Sequence, residues 1–120
     1  MTPKKYFAAR PEPPVLIVEV LQPVGSLADD DVLHELDLLL EAVNEHKPQA
    51  VVVDFHQVAY FGSSLLESLR VIWRHIEPLG GRMVLCNLSP VGREIIELAK
   101  FHHVWTLADN VADAKRKLAS

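Results

Sequence analysis

The chain has 120 residues, of which 49% are hydrophobic and 23% charged, with a formal net charge of −4. That length suits one compact domain, and the balance is that of a globular protein with its own core, expected in the cytoplasm. The acid excess argues against nucleic acid as partner, and no run approaches the roughly 18 apolar residues of a membrane span.

The opening "MTPKKYFAARPEPP" holds Pro3, Pro11, Pro13 and Pro14. It lacks the apolar run of a signal peptide and reads as a proline-rich extended arm over residues 1–14, ahead of a domain over 15–120. Its apolar pair Tyr6-Phe7 leaves homodimerisation through the arm open. "VLIVEVL" (Val15–Leu21) is β-branched and almost continuously apolar, which predicts a strand. Pro23 and Gly25 break it. Ser26, with Asp29 three residues on, resembles a helix start. Leu27, Val32, Leu33, Leu36, Leu39, Leu40 and Val43 then recur at helical spacing, opposite a polar side of Asp30, Glu35, Asp37 and Glu41.

Pro48 ends that unit, and the valine run of "AVVVDF" (Ala50–Phe55) predicts a central strand buried on both faces. After the loop "HQVAYFGS" comes a second helix with Leu65, Leu69, Ile72 and Ile76 on one stripe, closed by Pro78, Gly80 and Gly81. "RMVLCNL" is a third strand. Ser89-Pro90 starts a third helix, a capping residue followed by proline at the first helical position. "VWTL" (Val104–Leu107) is a short fourth strand, and Asp109 caps a last helix with Val111, Ala114 and Leu118 inward. The alternation of strands and helices implies an α/β sheet with right-handed crossovers.

Few residues suggest chemistry. The one cysteine, Cys86, lies in an apolar strand and reads as an inert core thiol. None of the six histidines forms an i, i+4 pair with another, and the adjacent His102 and His103 are expected to diverge, so no metal site is expected. No glycine-rich phosphate loop is present, so no cofactor is expected. Asp54, at the end of the central strand, is expected to bind N–H groups of the following loop. Lys115-Arg116-Lys117 suits the negative end of the last helix. A hydrolase elbow needs small residues around its serine, and the leucines after Ser63-Ser64 break that spacing; no catalytic residue is expected.

The serine pair itself divides in two. Ser64-Leu65-Leu66-Glu67 has the form of a capping box, with Ser64 and Glu67 exchanging side-chain and backbone bonds. Ser63 then stands just outside the helix, where a phosphate would meet the positive end of the macrodipole. Tyr60 and Phe61 beside it are candidate interface anchors, with the core an equal destination for Phe61.

The succession of strand, "DF…V.YFGSSLL" loop and helix, then "GGRMVLCNLSPVGREIIELAKFHHVW" and a short last helix, resembles the STAS domain of bacterial anti-sigma factor antagonists over about Val15 to Leu118. The resemblance implies a single STAS-like α/β domain, a mixed sheet of four to five strands covered by about four helices, and a regulator rather than an enzyme. It implies binding to an anti-sigma factor that is also a serine kinase, and reversal by a PP2C-type phosphatase. By position the phosphorylated serine is Ser63, and Tyr60, Phe61, Gly62, Ser63, Ser64 and Leu65 form the partner-binding segment. The family's acid before the serine pair is Gly62 here, and its glycine after the pair is Leu65. The alternative within the same fold is a scaffold or small-ligand sensor without the phosphoswitch.

Overall fold

The computed structural model describes residues 5–119. Strand β1 (Phe7–Glu12) turns at Pro13-Pro14 into β2 (Val15–Val20), followed by α1 (Asp30–His46), β3 (Ala50–Asp54) and α2 (Ser63–Ile76). Strand β4 (Arg82–Cys86), α3 (Pro90–Leu98), β5 (Thr106–Ala108) and α4 (Val111–Ala119) complete the chain. The five strands lie in sequence order across one sheet, β1 antiparallel to β2 and the others parallel.

Side chains alternate across each strand, and the alternation sorts the core into two layers. Leu16, Val18, Val51, Val53, Met83 and Leu85 face a large cluster built with α1, α2 and α3. Val15, Ile17, Ala50, Val52, Val84 and Cys86 face a smaller one closed by Ala114 of α4. All five residues of β3 are therefore buried, as its valine run predicts. The expected stripe of α2 is buried as well: Leu65, Leu69, Ile72 and Ile76.

The residues expected to form an arm differ in part. Phe7–Glu12 is an edge strand in register with β2, from Phe7 opposite Val20 to Glu12 opposite Val15. An edge strand has one unpaired side, where the N–H that proline lacks costs no ladder bond, so Pro11 is tolerated. The first four residues of the expected arm lie outside the described residues.

Glu35, expected on the polar side of α1, is 6% exposed. Its carboxylate accepts from the backbone N–H groups of Lys5, Tyr6 and Phe7 at 3.0–3.2 Å. Three consecutive amides thus cradle one carboxylate, which ties the start of β1 to α1. Leu33, expected inward, is 46% exposed.

The helix starts shift slightly. Asp29, rather than Ser26, caps α1, accepting from Asp31 and Val32 N–H. Asn110, rather than Asp109, accepts from the first turn of α4 through Asp113 N–H. Strand β5 begins at Thr106, because Phe101–His103 makes a 3-10 turn that stacks Phe101 on buried Trp105 at 4.4 Å.

Candidate functional site

Parallel strands bring all their following loops to one end of the sheet, where ligands of open α/β sheets gather. The loop after β3 leads there into α2. Its base is pinned from both sides: Phe55 N–H donates to Cys86 carbonyl at 3.1 Å and Val58 N–H to Phe55 carbonyl at 3.0 Å. Asp54 Oδ1 accepts from His56 N–H at 3.0 Å and from Asn87 Nδ2 at 2.9 Å, while Oδ2 lies 3.0 Å from His56 Nδ1. Asp54 is thus engaged with the loop amide, as expected, and also with the neighbouring turn after β4.

Ser89 makes the other tie. Its hydroxyl donates to Ala59 carbonyl at 2.6 Å and accepts from Gly92 N–H at 2.9 Å. One side chain therefore caps α3 and holds the loop in front of α2. Phe61 packs under that loop, 1% exposed, with its ring centroid 5.1 Å from that of Phe55. Gly92 leaves it room: a Cβ there would stand 3.3 Å from both Phe61 Cε1 and Ser89 Oγ. The cap role of Ser89 was legible from "SP"; its loop contact, 30 residues away, was not.

The start of α2 differs from the expected capping box. Ser63 is already helical and Gly62 is the N-cap, with no side-chain cap bond. Ser64 therefore sits inside the first turn, two positions past the cap, and its hydroxyl donates to Gly25 carbonyl at 3.3 Å. Glu67 instead binds Arg70 at 2.7 Å. The buried Ser68 hydroxyl returns to Ser64 carbonyl at 3.0 Å. The first turn of α2 thus keeps N–H groups without helical acceptors and without a side-chain cap.

Of the segment expected to meet a partner, Tyr60 (68% exposed), Gly62 and Ser63 face solvent and Ser64 is half-buried. Phe61 and Leu65, 1% and 0% exposed, belong to the core, so their side chains shape the loop and the helix from below. Val91 on α3 adds a second exposed apolar side chain at this end of the sheet.

Among the described residues no group of reactive side chains gathers elsewhere. The Cys86 thiol is pushed up to about 12, chiefly by burial and then by the charge of Asp54, which keeps it protonated. Among the described residues no group of three His, Cys, Asp or Glu side chains could hold a metal ion. His102 and His103 do not diverge as expected: the 3-10 turn leaves both exposed, with ring centroids 4.0 Å apart. No helix among the described residues is long and apolar enough to cross a membrane.

A mixed five-stranded sheet with a helix starting at Ser63 beside the Ser89-tied loop defines the class of fold. The chain belongs to the STAS domain family, whose model matches residues 8–114. It is 25% identical over 95 residues to the putative anti-sigma factor antagonist BtrV of Bordetella bronchiseptica, covering 79% of each chain. Its fold is similar to a STAS domain protein from Planctomyces limnophilus (24% identity, TM-score 0.78, covering 97% of this chain and 100% of that one). It is likewise similar to the unphosphorylated anti-sigma factor antagonist SpoIIAA (16% identity, TM-score 0.75, covering 95% and 97%).

Proposed function

We propose that this chain is a regulatory protein-binding module of the anti-sigma factor antagonist type, not an enzyme, and that it is switched at Ser63. The observation that carries the reading is the exposed Ser63 on the uncapped first turn of α2. The partner is an anti-sigma factor that is also a serine kinase, in keeping with the anti-sigma factor antagonist it resembles. Tyr60, Gly62, Ser63 and Ser64 form the contact, with Phe61 and Leu65 supporting it from the core.

A phosphate on Ser63 adds nearly two negative charges at a helix N-terminus, where free N–H groups and the macrodipole favour them. Phosphorylation therefore leaves α2 intact and changes the surface a partner meets. A neutral contact tuned to a hydroxyl becomes charged and must be desolvated, and the complex weakens. A PP2C-type phosphatase reverses the step.

Incubation with a partner kinase and ATP should add one phosphate, lost in Ser63→Ala and kept in Ser64→Ala. Incorporation that survives Ser63→Ala overturns the assignment. Gly62, in place of the family's acid, favours a second reading in which the same surface binds without the switch. Equal capture of the partner by wild type and Ser63→Asp would support that reading over the first.

A further inference from the structure

The opposite end of the sheet carries a cavity of about 460 Å³, within the roughly 300–1,000 Å³ of small-molecule sites. It opens at the N-terminal ends of β2, β3 and β4, away from Ser63, between the β1–β2 turn and α4. Val15 and Ala50, 6% and 1% exposed, form part of its lining, with Pro14 and Leu118 alongside. Proline brings ring carbons and no N–H. The strand-end backbone is already paired, with Gln49 N–H on Pro14 carbonyl at 2.8 Å and Arg82 N–H on Gln49 carbonyl at 3.1 Å. Pro14 and Leu118 thus offer an apolar body its contact over a floor of Val15 and Ala50, and the strand-end backbone leaves few free polar groups there.

The charged lining is not balanced. Glu12 is bound by both Arg10 and Lys115, and those cations, Lys115 foremost, hold its carboxyl below the usual range. Arg82 also lines the cavity, and among the described residues its guanidinium has no hydrogen-bond or ion-pair partner. One fork of donors therefore lines the cavity with Glu12, the only acid among the described residues of that lining, already engaged. Guanidinium matches a carboxylate through two parallel bonds.

We infer that this cavity binds a small organic monoanion with an apolar body, its carboxylate on Arg82 and its chain against Val15, Ala50 and Leu118. The inference is independent of the Ser63 switch.

Titration of the ¹⁵N-labelled chain with octanoate, below its micellar range, tests it. Amide shifts should centre on Val15, Ala50, Arg82 and Leu118 and leave Ser63 and Ser64 unmoved. Binding should weaken about tenfold, the range of one charge-assisted hydrogen bond, for 1-octanol in place of octanoate and for Arg82→Gln. Arg82→Lys should recover part of the loss. Shifts centred elsewhere, equal binding of 1-octanol, or indifference to Arg82→Gln would overturn the site. So would binding to phosphatidylglycerol vesicles without binding of free octanoate, which would assign the cation to a lipid surface.

Discussion

Ser89 Oγ donates to Ala59 carbonyl at 2.6 Å, so the residue that starts α3 also fixes the loop ahead of Ser63. Removing the hydroxyl strips a cap and a loop contact at once. Ser89→Ala should cost about 1–2 kcal/mol in urea unfolding, as lost caps do. Amide exchange should also quicken at Ala59–Gly62. A variant with unchanged exchange there would mean that Phe61 packing alone holds the loop.

Gly62 is an N-cap without a side chain, at φ −113°, and a Cβ there meets nothing within 4 Å. Gly62→Asp should stabilise the chain by about 0.5–1 kcal/mol, through a better cap and a stiffer unfolded chain. Thermal unfolding reads the effect directly. Destabilisation would show that α2 does not start at Ser63.

Glu35 gathers three amides at the start of β1. Glu35→Ala leaves those donors unsatisfied in a partly buried place, at about 1–3 kcal/mol. Exchange at Tyr6 and Phe7 should rise well beyond that at Val52. Uniform change across the sheet would contradict a local tie.

Cys86 gives a pH dependence with a definite sign. Its thiol titrates at about 12 in the folded chain against an ordinary 9.0. The unfolded chain therefore releases this proton first as pH rises. The stabilising contribution is complete below about pH 9 and is lost as pH climbs towards 12, with a slope of up to about 1.4 kcal/mol per pH unit. The wild type should lose stability faster than Cys86→Ala over that window, and its thiol should resist alkylation at pH 8 until the chain unfolds.

Much of this fold was legible in the sequence, and the losses share a cause. The valines of β3 and the leucine stripe of α2 announce themselves because burial on both faces, or along one stripe, leaves a local pattern. Phe7–Glu12 hides behind its prolines, since what makes it a strand is the pairing of Phe7 with Val20. Glu35 looks solvated for the same reason: its partners lie 28–30 residues away. At the candidate site the serine pair is visible, yet a capping box from Ser64 to Glu67 starts the helix two residues late. Sequence spacing does not reveal that Ser63 already has helical dihedrals. Tyr60 and Phe61 look alike in sequence, and only packing against Phe55 and Gly92 sends one inward.

Three helices shield one face of the sheet and α4 alone shields the other. The two faces therefore fail at different free energies. Detachment of the nine-residue α4 uncovers Ile17, Val52 and Val84 while α1 and α2 stay docked, a sub-global opening cheaper than full unfolding. Such a species presents bare β-branched carbon on an otherwise native sheet, and two of them meeting face to face would bury it again. The last helix thus guards a route to self-association under stress that is distinct from the edge at β1.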